Sequence, residues 1–268
     1  MARELETQAQ LAIPKMPARF TAKRMLVAIL VIAIYWWSFE GTGVNPVTII
    51  EGMPAMWDIL QHMFPPSLED YQDLLKPALE TVYIGVLATI IGSALAIPVG
   101  FLGSANLSHP LIYHPVRLVL NVFRGVSEII WALLFVVAVG LGPMPGVLAL
   151  IVFAVGVQSK LVAEAVEAVD PGPLEAMRAV GARSWKVFVY GAWPQVLPLY
   201  LTFCLYYWDH NTRQATILGF VGAGGLGVTL FWNISMYEFE KATTSVILMI
   251  IMITIIDRFC LYLRKKII

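Results

Sequence analysis

Residues Asp170–Lys186 read DPGPLEAMRAVGARSWK, a segment carrying Asp170, Glu175, Arg178, Arg183 and Lys186 between two long apolar stretches. A membrane chain that keeps a mixed-charge helical segment between two spans offers a docking surface to something in the water. The local chemistry favours such a helix. Asp170 or Gly172 can cap it, Pro171 or Pro173 suits its first turn, and Glu175 faces its positive end. Gly181 is a natural left-handed stop, and Ser184 can cap a second helix that leads into the next apolar run. Leu174, Met177 and Ala182 fall near one side of the segment, with Glu175 and Arg178 nearer the other. Two readings stand here: a docking helix, or a capped turn between spans.

Working outward, the composition is 59% hydrophobic and 13% charged, against roughly 25% charged in a soluble domain. This excludes an ordinary soluble fold. Six apolar runs approach the ~20 residues needed to cross a bilayer: Met25–Phe39, Ala78–Leu102, Leu118–Gly140, Gly146–Val162, Gln195–Gln214 and Ala242–Leu261. No run alternates as a barrel strand does, so the fold class is all-α, a polytopic membrane protein with six transmembrane helices. In the first run Lys23 and Arg24 can snorkel to one interface, while Tyr35, Trp36 and Trp37 suit the other. A cleavable signal peptide is the competing reading of that run. Ser38–Thr42 offers no clear small-x-small cleavage site, and 24 residues precede the apolar core.

This divides the chain into an N-terminal tail 1–24, a first span 25–39, an external connector 40–77, a transmembrane core 78–262 with a polar loop 163–193, and a C-terminal tail 263–268. Within the connector Ile49, Ile50, Met53, Met56, Trp57, Leu60, Met63 and Phe64 recur at helical spacing, as in an interfacial helix lying on the outer membrane face or a plain connector. With both termini inside, fourteen of the 18 Lys and Arg residues lie in the cytoplasm and two, Lys76 and Lys241, outside. That bias places the Asp170–Lys186 segment in the cytoplasm. Glu40, Glu51, Asp58, Glu69, Asp70, Asp73 and Glu80 fall outside, so zero net charge hides a polarised molecule. Nothing points to nucleic acid. Cys204 and Cys260 sit in separate spans as packing residues, and His62, His109, His114 and His210 show no metal-ligand spacing.

Three stretches sharpen the reading. Glu175-Ala176-Met177, three residues, Gly181, then nine residues before Gly191-Ala192-Trp193-Pro194, resembles the E-A-A-x3-G-x9-I-x-L-P signature of permease subunits of bacterial ABC importers, with Met177, Gly191 and Trp193 as departures. Tyr207–Gly227, YWDHNTRQATILGFVGAGGLG, and Arg124–Ala132, RGVSEIIWA, are similar to segments of phosphonate importer permeases, a type shared with phosphite and phosphate systems. The resemblance implies a type I importer permease fold, in which Glu175, Ala176 and Gly181 belong to a coupling helix seated on an ATPase. It also implies a homodimer in a bacterial cytoplasmic membrane, two cytoplasmic ATPase subunits that bind ATP and magnesium, and an external substrate-binding protein. No cofactor, metal or catalytic residue is expected in this chain. A permease for another small solute, or an ATP-independent channel or membrane enzyme, are the alternatives.

Gly222-x-Gly224-x-x-Gly227 satisfies a dinucleotide-binding pattern, but membrane spans flank it and no strand–turn–helix–strand unit surrounds it. Gly222, Gly224, Gly225 and Gly227 read better as a tightly packed outer loop whose exposed N–H groups can approach an anion. No phosphate-binding G-x-x-x-x-G-K-[ST] is present.

Charges inside the spans complete the candidate set, since each ionisable group in hydrocarbon costs roughly 2.5–3.5 kcal/mol on insertion scales. Arg124 and Glu128 stand four apart, as do Asp209 and Arg213, so each pair is expected to meet on one helix face. They read either as self-neutralised pairs or, with Ser127 and Asn211, as the lining of an oxyanion path, for which the planar arginine fork suits phosphoryl oxygens. Counting ~1.5 Å per residue from Arg117 and from Gln195 sets Glu128 near mid-membrane and Asp209 and Arg213 in the outer half, as successive stations.

Overall fold

A computed structural model describes residues 22–43, 45–67 and 71–267. The chain divides into two compact units, residues 1–58 and 59–268. In the first unit, α1 (Ala22–Thr42) contains the short apolar core 25–39 and extends it at both ends. The hydroxyl of Thr42 donates to Ser38 O at 2.9 Å, and Gly43 at φ +62° then ends the helix. Asn45 Oδ1 accepts from Val47 N at 3.0 Å and starts α2 (Pro46–His62), which runs from this unit into the next. The helical spacing read from Ile49 is realised there as far as Leu60, whereas Met63 and Phe64 lie beyond the helix. Lys15 and the rest of the tail to residue 21, with Glu69 and Asp70, lie outside the described residues.

The second unit holds the remaining helices: α3 (Tyr71–Gly103), α4 (Pro110–Gly125), α5 (Glu128–Val139), α6 (Pro143–Glu167), α7 (Pro171–Ala179), α8 (Trp193–Leu218), α9 (Leu226–Ser235) and α10 (Phe239–Ile267). A short turn, Ser184–Lys186, and a π-helical segment, Val187–Ala192, lead into α8. Among the described residues five helices, α1 included, are long and apolar enough to cross a membrane, or six when α4 and α5 together count as one broken span. Among the described residues there is no strand.

α3 and α6 form the spine of the bundle and run parallel. A Cβ on Gly92 would stand 2.9 Å from Ala154 Cβ, and one on Gly100 would stand 2.7 Å from Val162 Cγ1, so glycine is what permits the approach. α8 packs antiparallel to α3. Tyr200 Oη donates to Ser93 O and Asn211 Nδ2 donates to Thr89 Oγ1, both at 2.9 Å. α10 returns beside α8, with Trp208 edge-on to Phe259 at 5.7 Å. The core between α3, α6 and α8 is partly polar: Ser93 Oγ donates to Gln158 Oε1 at 2.8 Å, and Gln158, Ser159 and Asn211 are fully buried. These bonds leave Gln158 Nε2, Ser159 Oγ and Asn211 Oδ1 buried without a hydrogen-bond partner among the described residues, where lipid offers none either.

The third apolar run departs from the expected single span. α4 and α5 meet at 89°, and the break falls at Val126 (φ −99°, ψ 129°) and Ser127 (φ −62°, ψ 148°), both extended. Gly125 weakens the helix there, and Ser127 occupies the N-cap position of α5 without a side-chain capping bond. Trp131 Nε1 donates to Phe123 O at 3.2 Å, which satisfies one of the carbonyls freed by the break.

Candidate functional site

At one end of the bundle, α7 realises the capped helix read from the sequence. Asp170 is the N-cap, its Oδ1 accepting from Gly172 N at 3.0 Å, and Pro171 takes the first helical position. Gly181 lies at φ +77°, its N–H donating to Arg178 O at 2.9 Å while Ala182 N donates to Met177 O at 3.1 Å. That pair of bonds is the Schellman closure, so Gly181 is the left-handed stop. Ser184 does not cap the following turn; Arg183 holds that position, in extended conformation, and Ser184 is the first helical residue. Leu174 is buried, with Met177 and Ala182 partly so, against Val187, Phe188 and Ala192 of the π segment. Glu175 and Ala176 are exposed on the other face.

A second constellation lies near the middle of the spans. Arg213 pairs with Asp209 at 2.8 Å, as the spacing predicted, and also reaches Asp257 of α10 at 3.8 Å. The expected Arg124–Glu128 pair does not form, because the break between them turns their side chains onto different axes. Glu128, 8% exposed, instead meets His210 Nε2 at 3.2 Å. Phe153 and Tyr206 stack near the His210 ring at 6.1 and 6.3 Å. Arg124 is exposed and has no ion-pair partner among the described residues, and Ser127 is exposed beside it. A Cβ on Gly156, halfway along α6, would stand 2.9 Å from Arg124 N. Asn211 reaches Thr89, halfway along α3, and the Glu128–His210 contact ties α5 to the same level. Glu128 and Asn211 are thus near the level of Thr89, while Arg124 packs at Gly156, nearer the α7 end of the paired α3 and α6. Asp209 and Arg213 lie past the middle of the helical stretch Ser184–Val221, toward the end away from α7, and Glu128 meets His210 beside them.

The glycine loop sits at the end away from α7. Gly222, Gly224 and Gly225 adopt φ of +84°, +83° and +76°. A Cβ on Gly227 would fall 1.9 Å from Thr216 O, so that position serves close packing of α9 on α8. The loop from Ala223 to Gly227 is buried rather than exposed, and Leu226 N already donates to Thr81 Oγ1 at 2.9 Å. The loop lines an open cavity of about 710 Å³ with Glu80, Leu133, Leu141 and Trp232. Glu80 Oε1 would lie 2.8 Å from a Cβ on Gly224. A carboxylate this close opposes an anion at the loop.

Residues 74–268 match the family described as binding-protein-dependent transport system inner membrane component. The chain belongs to that family. It is 40% identical over 253 residues, 94% of its length, to a phosphate-import permease protein of Mycolicibacterium smegmatis, and spans 47% of that protein, about half. To a phosphite transport system permease protein of Stutzerimonas stutzeri it is 34% identical over 222 residues, 82% of this chain and 81% of that one. Among solved structures it is similar to a chain of the inward-facing methionine ABC transporter, with TM-score 0.64 and 21% identity over 75% of this chain and 99% of that chain. A chain of an alginate ABC transporter gives TM-score 0.61 and 15% identity over 91% and 96%. The fold is thus the all-α one of ABC-importer permeases, in a multi-pass inner-membrane transport component. Within this family's fold, sequence reasoning placed Asp209, Asn211 and Arg213 together and missed His210 and Asp257. Both are ionisable residues inside apolar runs, and that signal alone would have singled them out.

Proposed function

We propose that the chain is the membrane-spanning subunit of an ATP-driven importer for a phosphorus oxyanion, of the phosphonate, phosphite or phosphate class. Two copies would assemble with two cytoplasmic ATPase subunits and an external binding protein, in a bacterial cytoplasmic membrane with both termini inside. ATP and magnesium would bind the ATPase, and this chain would carry no cofactor. The names of the two permease relatives favour a phosphorus oxyanion, and the basic asymmetry of the loops favours the orientation.

The observation that carries the reading is Arg124: an exposed guanidinium, without an ion-pair partner among the described residues, in the middle of a broken span. Facing lipid it would cost roughly 2.5–3.5 kcal/mol on insertion scales. A second copy of the chain and a hydrated path between the copies would remove that cost. Arg213, its side chain 51% exposed, and Ser127 would complete the lining, from which Asn211 is withdrawn by its burial against Thr89, with Glu128, Asp209 and Asp257 holding the attraction weak enough for release. In this scheme closure of the ATPase pushes on Glu175–Gly181, and α3–α10 rock between inward- and outward-open packings.

The test is reconstitution of the importer with its ATPase and binding protein in proteoliposomes, measuring ATP-dependent uptake of phosphite, phosphate and methylphosphonate against a neutral sugar and an amino acid. Uptake of at least one oxyanion and of neither control is expected. Transport of a neutral solute alone would overturn the substrate class while leaving the importer reading intact. Uptake that persists without ATP would overturn the importer reading itself.

A further inference from the structure

We infer that the loop between α3 and α4, residues 104–109, is a strap that carries movement of α7 to the broken span, with Arg178, Glu167 and Arg117 as its positioning residues. The inference rests on the proposed docking of α7 and adds the route by which a push there reaches Arg124. Two routes leave α7. The apolar one runs from Leu174 through Phe188 and Ala192 into α8. The polar one begins at Arg178, whose Nη2 donates to Asn106 O at 2.6 Å across 72 residues of sequence.

From there the loop is fastened on both sides. Asn106 Nδ2 donates to Val166 O at 2.9 Å, and Glu167 Oε1 accepts from Ala105 N at 2.6 Å, so the strap is bound to the end of α6. The same Glu167 oxygen accepts from Arg117 Nη2 at 2.6 Å, and Arg117 Nε donates to Gly103 O at 2.9 Å, so it is bound equally to α4. Leu107 is buried in the apolar cluster that holds Leu174. α4 then runs unbroken to Arg124 and ends at the 89° turn into α5. A displacement of α7 therefore pulls on the loop and rotates α4, while the Leu174 route moves α8. These two helices carry Arg124 and His210.

Asn106 Oδ1 adds the second arrangement that a moving part requires. It is buried without a hydrogen-bond donor in this conformation. A small slide of the Arg178 guanidinium, which has five N–H groups, brings one of them to this oxygen while another keeps the carbonyl of the same residue. The strap thus has two bonded states. A contiguous chain of bonds alone does not establish transmission, so the test reads coupling energy directly.

In the assembled importer, uptake per ATP hydrolysed is compared for Glu167→Gln, Arg117→Met, Arg178→Ala and the double variant Arg178→Ala with Glu167→Gln. Each single change is expected to lower the ratio about 2- to 30-fold, the span of mutations along coupling networks. The double is expected to lower it no further than the worse single, because both cut one strap. Arg178→Lys, which keeps one donor to Asn106 O, is expected to recover part of the loss, and the ATPase is expected to co-purify with every variant. An unchanged ratio in Glu167→Gln and Arg117→Met, or multiplied losses in the double, overturns the strap. Loss of the ATPase from Arg178→Ala alone makes Arg178 a docking contact, which overturns the strap and leaves the docking of α7 standing. Co-purification and normal uptake in Glu175→Lys would instead defeat the docking reading itself.

Discussion

Among the described residues Arg213 pairs with two carboxylates and Arg124 with none, and this changes what a substitution at either arginine reports. At Arg213, the pair with Asp209 at 2.8 Å is joined by Asp257 at 3.8 Å. If Arg213 only neutralises, then Arg213→Gln with Asp209→Asn still leaves Asp257 unpaired, and uptake returns only when Asp257→Asn is added. If Arg213 meets substrate, the triple variant stays inactive at normal membrane abundance, which is the expected outcome; full uptake by the triple would sink the substrate contact. At Arg124 no carboxylate is available to unmask, so Arg124→Gln is expected to insert at least as well as the parent and to transport about tenfold less, a loss of charge-assisted binding of about 1.4 kcal/mol. Unchanged uptake in that variant would place Arg124 outside the path. His210 holds Glu128 at 3.2 Å, and Glu128→Gln keeps an acceptor while removing the charge.

At the scale of elements, α7 was legible because its signals are local: Asp170, Pro171 and Gly181 each act within a few residues of themselves. Gly181 at φ +77° has nothing within 4 Å of an added Cβ, so a substitution there is strained by conformation and not by crowding. Gly181→Asn, which tolerates the left-handed region, is therefore expected to transport nearly normally, whereas Gly181→Val destabilises the stop by roughly 1–2 kcal/mol and uncouples ATP hydrolysis from uptake. Equal behaviour of the two variants would remove the stop from the mechanism. Gly100 is the opposite case. Its added Cβ would meet Val162 Cβ at 2.8 Å and Ser159 O at 3.0 Å, a buried branched side chain and a backbone atom that cannot swing away. Gly100→Ala is expected to destabilise the α3–α6 spine by about 1–3 kcal/mol, read as a lower Tm of the purified chain in detergent, and an unchanged Tm would mean that the spine can part. The broken span escaped sequence reading for a physical reason. Leu118–Gly140 is apolar overall, and Arg124, Ser127 and Glu128 read equally well as polar groups within one straight span, while the bend depends on the φ and ψ of Val126 and Ser127 and on Trp131 reaching back to Phe123. Pairing by spacing presumes one helix, so it succeeded for Asp209–Arg213 within α8 and failed for Arg124–Glu128 across the break.

For the molecule as a whole, the two ends of the bundle differ in kind, and this makes its orientation testable without reference to transport. α7 and the C-terminal Arg264, Lys265 and Lys266 follow helices that run toward one end, while the turn between α9 and α10 lies at the other, where Ser67 O accepts from Thr244 Oγ1 at 2.6 Å. With fourteen basic residues assigned to the side of α7 and two to the opposite side, the first end is expected in the cytoplasm. Cys260 is buried, so replacing Cys204 by serine leaves a background nearly silent to impermeant thiol reagents. On that background Ala182→Cys and Lys265→Cys are expected to stay unlabelled in intact cells and to react in inverted vesicles. Tyr237→Cys, at a position 81% exposed in the α9–α10 turn, is expected to do the reverse. The paired sites separate inversion from inaccessibility, because a buried site is silent in both preparations whereas an inverted chain exchanges the two patterns. Labelling of Ala182→Cys from outside intact cells would place α7 away from any cytoplasmic ATPase, and the docking of Glu175 and the strap behind Arg178 would fall together.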